Sequence, residues 1–246
     1  MSRCGILIIG SLLWDNGADG IRKGWREDRL SADEKVIVRA PICYGRKSAS
    51  RNDTFTMILR SGEANGQAVL VPCRKTINSA DDLMEEITAL WRAEDSNAKS
   101  DVFHKNWGCV GALFRTETGL AKVKAAWSER FQEAVKGPVD MIGPDGFLKC
   151  NWPKTIGGED AELDIILATA TKPAETCPSV NDVADAWCHQ SGEEKYFFRN
   201  VENGIRTSED LGIWERIKAK APSWIDTASY AQAKEILGRE SKTVRG

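Results

Sequence analysis

A chain of 246 residues is long enough for one large domain or two small ones and buries a core without help from disulfides or a metal. Its composition, 41% hydrophobic and 28% charged with a formal charge of −2, excludes disordered and collagen-like chains and argues against a general nucleic-acid binder. The charge is uneven: residues 1–51 hold ten basic and six acidic side chains, a local +4, so a site lined by them favours an anion.

The apolar run at 5–14 is too short for a bilayer core, which needs about 20 helical residues. Asp15, Asn16 and Asp19 follow it without a small-x-small cleavage pattern, so it reads as a buried strand with its exit loop and not as a signal peptide. Strand-like segments continue at 36–44, 54–59 and 67–71. Ser79 with Asp82 three residues on forms a capping-box pattern, which opens a helix running to about Glu94. Residues 107–115 return to strand character. Leu120, Val123, Trp127, Phe131 and Ala134 then fall at helical spacing, and Gly137-Pro138 ends that helix. A strand at 163–170 precedes three helices at 179–190, 193–203 and 207–220, the last stopped by Ala221-Pro222. Strands first and helices late predict one α+β domain spanning 1–246, with 97–162 as an insertion and 221–246 as a C-terminal extension. Seven cysteines without a C-x-x-C pair, and only His104 and His189 to join them, argue against a disulfide scaffold or zinc module and suit a reducing cytoplasm.

Two segments are candidates for chemistry. In the first, a hydrophobic strand through Ile9 runs into Gly10, Ser11, Leu12 and Leu13, where backbone N–H groups leave the ladder and can face a cleft. Such donors bind carboxylates or a developing oxyanion, although a core strand ending in a turn has the same pattern. In the second, Leu83, Ile87, Leu90 and Trp91 form the apolar stripe of the helix begun at Ser79, and Glu94 continues it at i+11. Burial and the negative end of the helix dipole both raise the pKa of such an acid, which suits a general base; the alternative is that Glu94 lies past a fraying end and reaches water. Other features read as structural. Cys188 and His189 diverge by about 100° on a helix and cannot act as a nucleophile–base pair. Tyr196, Phe197 and Phe198 read as a buried helix face, and the nine tryptophans as packing.

The run Ile9-Gly10-Ser11-Leu12, followed some eighty residues later by Leu90-Trp91-Arg92-Ala93-Glu94, resembles the gamma-glutamyl cyclotransferase-like superfamily. Gly10-Ser11-Leu12-Leu13-Trp14 is similar to the loop of the glutathione-cleaving branch. Pro178-Ser179 and Gly204-Ile205, each before a helix, match the C-terminal pattern, so the resemblance covers about residues 5–96 and 163–220. It implies a mixed sheet or small β-barrel with surrounding helices, Glu94 as the catalytic acid/base, and Ile9, Gly10, Ser11, Leu12 and Leu13 as the substrate loop. Three departures accompany it: Ile9 stands where the loop tyrosine is usual, the later tyrosines have no match at 163–179, and 97–162 is inserted.

The implied reaction is attack by the free α-amino group of a γ-glutamyl compound on its own γ-carbonyl, releasing an amine and 5-oxoproline without metal or cofactor. The expected partner is a small anionic γ-glutamyl substrate, with no nucleic acid or membrane involved. Arg46 and Arg51 flank the strand pair that faces the same cleft and are candidates for the substrate carboxylate. A non-catalytic binding or structural protein of the same fold, and a cysteine-dependent acyl transferase, are the alternative classes.

Overall fold

The structure is a computed structural model describing residues 1–62, 66–99, 101–115, 119–136, 140–190, 192 and 194–244, with side chains through 241. Its centre is β1 (Cys4–Ile8), every residue of which is buried, as expected of a continuously apolar strand covered on both faces. β1 pairs antiparallel with β5 (Gly66–Pro72) and parallel with β8 (Ile165–Thr171). β2 (Val36–Ala40) extends the sheet beyond β5, while β7 (Gly108–Phe114) and the short β6 (His104–Lys105) extend it beyond β8. The resulting mixed sheet has the order β2-β5-β1-β8-β7-β6, and among the described residues it closes no barrel.

A separate ribbon, β3 (Ile42–Ser48) with β4 (Thr54–Leu59), packs on this sheet. The single strand predicted at 36–44 is thus two strands. Pro41 has no N–H to continue a ladder, and the chain passes there from sheet to ribbon, with the Pro41 carbonyl accepting from Arg60 N at 2.8 Å. The register of the ribbon shifts between Tyr44 and Arg46, a bulge of the kind that re-aims side chains.

The helices follow the apolar spacing closely. In α2 (Ala80–Glu94), Ser79 Oγ accepts from Asp82 N at 3.1 Å and the Asp82 carboxylate accepts from Ser79 N at 3.0 Å, completing the capping box. α3 (Ala121–Ala134) buries Val123, Trp127 and Phe131 and packs on α2; its predicted end at Gly137-Pro138 lies outside the described residues. α4 (Val180–Cys188), α5 (Glu194–Glu202) and α6 (Asp210–Lys220) gather at the other side, the predicted start of α5 at Glu193 again being outside the described residues. α1 (Ile21–Arg29) escapes sequence reading because it buries only Trp25 and shows no stripe.

The two segments set apart in the sequence are joined to this core. Residues 97–162 supply β7, paired with β8 along its whole length, so this stretch is built into the sheet. After the short α7 (Pro222–Ile225), α8 (Ala231–Val244) covers α5 and buries Ala233 and Leu237. Its Glu240 takes both terminal nitrogens of Arg206 at 2.9 and 2.7 Å. No helix among the described residues is long and apolar enough to cross a membrane.

Candidate active site

The chain leaves β1 through Ile9 and Gly10 into a 3₁₀ turn at Ser11–Leu13. Leu13 N donates to Gly10 O at 3.2 Å, whereas the N–H groups of Gly10, Ser11 and Leu12 stand at the start of the turn without a backbone partner among the described residues. Ile9, Gly10, Ser11 and Leu12 line a cavity of about 420 Å³. Leu13 does not: it packs against the core, and its N–H is spent on the turn.

Three arginines hold this loop in place. Arg26 donates to Leu12 O at 2.6 Å, Asp15 O at 2.8 Å and Asn16 Oδ1 at 2.8 Å. Arg22 and Arg51 both reach the Asp15 carboxylate, at 2.9 and 3.2 Å. Burial pushes the Asp15 carboxyl up, but the Gly17 N–H and the charges of Arg22, Arg51 and Lys195 outweigh it and hold the group below its usual range. Much of the N-terminal positive charge is therefore used in shaping the loop.

Glu94 lines the same cavity from the end of α2. Its side chain sits deep in the protein at the cavity wall, and it forms no ion pair among the described residues. Desolvation raises its pKa; Arg22, the Thr169 hydroxyl and Arg46 pull the other way without cancelling the rise. Glu94 is not the only buried acid of α2. Glu86 is 1% exposed, but Arg29 meets it at 2.9 Å and it lies away from the cavity. Lining a cavity without an ion-pair partner among the described residues is what sets Glu94 apart.

The remaining walls come from β8, the ribbon and α5. Thr169 and Thr171 share one face of β8, line the cavity, and have buried hydroxyls without a well-formed hydrogen bond, two polar groups open to a ligand or water. Arg46 lies 4.6 Å over the Trp107 ring and has no carboxylate partner among the described residues; burial lowers its pKa, with Glu94 and Tyr196 opposing. Arg51, the other arginine candidate, lines the cavity but is committed to Asp15 and to the Tyr196 face at 4.9 Å.

Tyr196 is buried as expected of a helix face, yet its hydroxyl reaches the cavity and accepts from Met57 N at 3.0 Å. Burial raises its pKa, and Glu94 adds to that rise. Trp14 Nε1 donates to Asn200 Oδ1 at 2.8 Å and ties the loop to α5, which carries Tyr196. The sequence signal was available in principle, since a hydroxyl inside an aromatic run needs a buried partner, but no spacing links residue 196 to residue 10. Asp15, Arg22, Thr169 and Thr171 were also missed. Among the described residues no cluster of three or more His, Cys, Asp or Glu is placed to hold a metal ion.

No family model matches this chain, and no solved structure matches it. Among curated proteins it is similar to an isopentenyl-diphosphate delta-isomerase of Staphylococcus saprophyticus, 24% identical over 151 residues. That stretch covers 58% of this chain and 42% of the isomerase, so the match spans less than half the length of that relative.

Proposed function

We propose that the chain is a cyclotransferase of the gamma-glutamyl cyclotransferase-like kind, releasing 5-oxoproline from a γ-glutamyl amide or peptide with Glu94 as general base. The observation that carries this reading is one cavity walled by a desolvated glutamate and by the N–H groups of a Gly-Ser-Leu turn, the first without an ion-pair partner and the second without a backbone partner among the described residues. Glu94 accepts a proton from the substrate's α-ammonium group, and the freed amine attacks the γ-carbonyl carbon. The oxyanion that develops is held by the N–H groups of Gly10, Ser11 and Leu12. The bond to the leaving nitrogen then breaks as that nitrogen takes the proton from Glu94, and the carboxylate so regenerated removes the second proton from the new ring nitrogen and passes it to the released amine, which departs as an ammonium ion. Arg46, which lines the cavity and has no carboxylate partner among the described residues, receives the substrate's α-carboxylate.

Two other readings have less support. A thiol-dependent transferase needs a thiolate in the cavity, and none of the seven cysteines lines it; burial pushes Cys109 up to about 12 and Cys150 up to about 11. An isoprenoid diphosphate, the substrate in the name of the similar isomerase, needs several unneutralised cations beside Glu94, whereas of the arginines lining this cavity Arg22 and Arg51 are already bound to Asp15 and Arg46 alone is left to meet it. The test is incubation with γ-glutamyl amines, γ-glutamyl dipeptides and glutathione, followed by detection of 5-oxoproline. Turnover that is lost in Glu94→Gln supports the proposal. Absence of 5-oxoproline from every substrate moves the assignment to a binding protein of this fold.

A further inference from the structure

Packing alone does not account for two hydroxyls of β8. On the strand face that carries Ile165 and Leu167, the apolar side chains give way to Thr169 and Thr171, and both line the cavity with Glu94. β8 runs parallel to β1 with Leu167 beside Ile6, so the two threonines come at the level where β1 leaves the sheet for the Gly-Ser-Leu turn. Valine has nearly the same shape and would fill either position without a polar atom to desolvate. The hydroxyl oxygens are nevertheless buried, and neither makes a well-formed hydrogen bond among the described residues.

The two threonines differ in what they stand beside. α2 packs on β8, and Thr169, 7% exposed, comes within reach of the Glu94 carboxylate at the end of that helix. Desolvation raises the pKa of Glu94, and Arg22, the Thr169 hydroxyl and Arg46 act against the rise. This balance involves Thr169 and not Thr171. The charged and titratable groups facing Glu94 are Arg22 from α1, Arg46 from β3 and Tyr196 from α5; Asp15 and Arg51 also line the cavity and are paired with each other. Thr169 adds to them a donor without a charge.

We propose that Thr169 is the positioning residue of Glu94: its hydroxyl donates to one carboxylate oxygen and leaves the other turned to the cavity for the substrate's proton. The reaction in which Glu94 is so positioned rests on the cyclotransferase reading, whereas the contact between the two side chains does not. Glu94 is the last residue of α2, so a fixed partner on the rigid sheet restrains a side chain that its own helix holds from one side only. Hydrogen bonds of this kind are often long until a ligand closes the site.

The experiment compares Thr169→Val, Thr169→Ser and, as the matched change on the same strand face, Thr171→Val. The Glu94 carboxyl is titrated by carbon-13 NMR of glutamate-labelled protein, its signal identified by its loss in Glu94→Gln. Thr169→Val is expected to raise the proton affinity of Glu94 about tenfold, the size of one hydrogen bond to a charged group, and Thr169→Ser to restore it. In Thr171→Val the titration stays where it is in the parent. With a γ-glutamyl dipeptide, the acid limb of kcat/KM moves to higher pH in Thr169→Val, and kcat on the plateau falls about tenfold with KM little changed. An unmoved Glu94 titration in Thr169→Val, or an equal change in Thr171→Val, overturns the inference and leaves the cyclotransferase reading standing. A change in Thr169→Val that serine restores, in a protein that turns over no γ-glutamyl compound, sustains the contact and overturns that reading instead.

Discussion

The Tyr196 hydroxyl occupies the space a side chain at Gly10 needs: an ideal Cβ on Gly10 lies 2.9 Å from it. The φ of Gly10 is −173°, extended backbone open to any residue, so the glycine is required by this approach and not by a special turn. The tyrosine cannot easily yield, being buried and held by Met57 N at 3.0 Å. Gly10→Ala is therefore expected to cost about 1–3 kcal/mol of stability by overpacking and to displace either the loop or the hydroxyl. Tyr196→Phe in the same chain removes the clashing oxygen, so a double-mutant cycle in denaturant should give a cost for the pair smaller than the sum of the two single changes. Strict additivity shows that the two residues do not meet in solution.

Arg46 and Arg51 are expected to behave differently although both line the cavity. Arg46 is uncommitted, so Arg46→Gln should raise KM for a γ-glutamyl substrate about tenfold or more, as for a lost charge-assisted contact, with little change in melting temperature. It also removes one of the charges that lowers the Glu94 pKa, so the acid limb of kcat/KM should move to higher pH. Arg51→Gln removes an ion pair to Asp15 and should loosen the loop, lowering kcat and stability together. Identical kinetic signatures in the two variants contradict this division of roles.

Ser79→Ala removes the oxygen that accepts from Asp82 N at 3.1 Å. Loss of such a cap is expected to destabilise by about 1 kcal/mol in urea unfolding. Because Glu94 lies at the opposite end of the same helix, kcat should be retained.

What the sequence revealed here was local. Helical spacing alone placed Glu94 on the buried side of α2, and the change from apolar strand to Gly-Ser located the turn of the candidate site. What it could not reveal depended on contacts between distant segments. Tyr196 reaches Met57 across 139 positions, and Trp14 reaches Asn200 across 186, with no periodic signal joining either pair. Arg51 seemed as free as Arg46 because nothing in a linear reading shows that Asp15 folds back to meet it. The strand at 107–115 was legible, but its place beside β8 in the main sheet was not, because pairing between segments so far apart leaves no local signal. Asp210 illustrates the same limit: an exposed-type residue by composition, it is fully buried because Arg206 Nε at 2.9 Å and Thr207 Oγ1 at 2.6 Å satisfy it.

Glu94 is expected to set activity and stability against each other. Desolvation raises its pKa in the folded protein above the ordinary glutamate value of 4.5, so between the unfolded and folded pKa values the native state binds more protons than the unfolded state. Stability contributed by this group therefore falls as pH rises through that window, and above the folded pKa the ionised carboxylate carries its full desolvation cost. Glu94→Gln keeps shape and hydrogen-bonding capacity without a charge to desolvate, so at neutral pH the variant should unfold at higher denaturant than the parent, with the advantage vanishing below about pH 4, where the parent is protonated in both states. Its 5-oxoproline release should fall by about 10²- to 10⁴-fold, the range for a lost general base, and in the parent kcat/KM should rise through a pKa above that of an exposed glutamate. A variant less stable than the parent at neutral pH shows that Glu94 is a structural anchor. Unchanged turnover removes it as the base, and the two outcomes are read from separate measurements on the same protein.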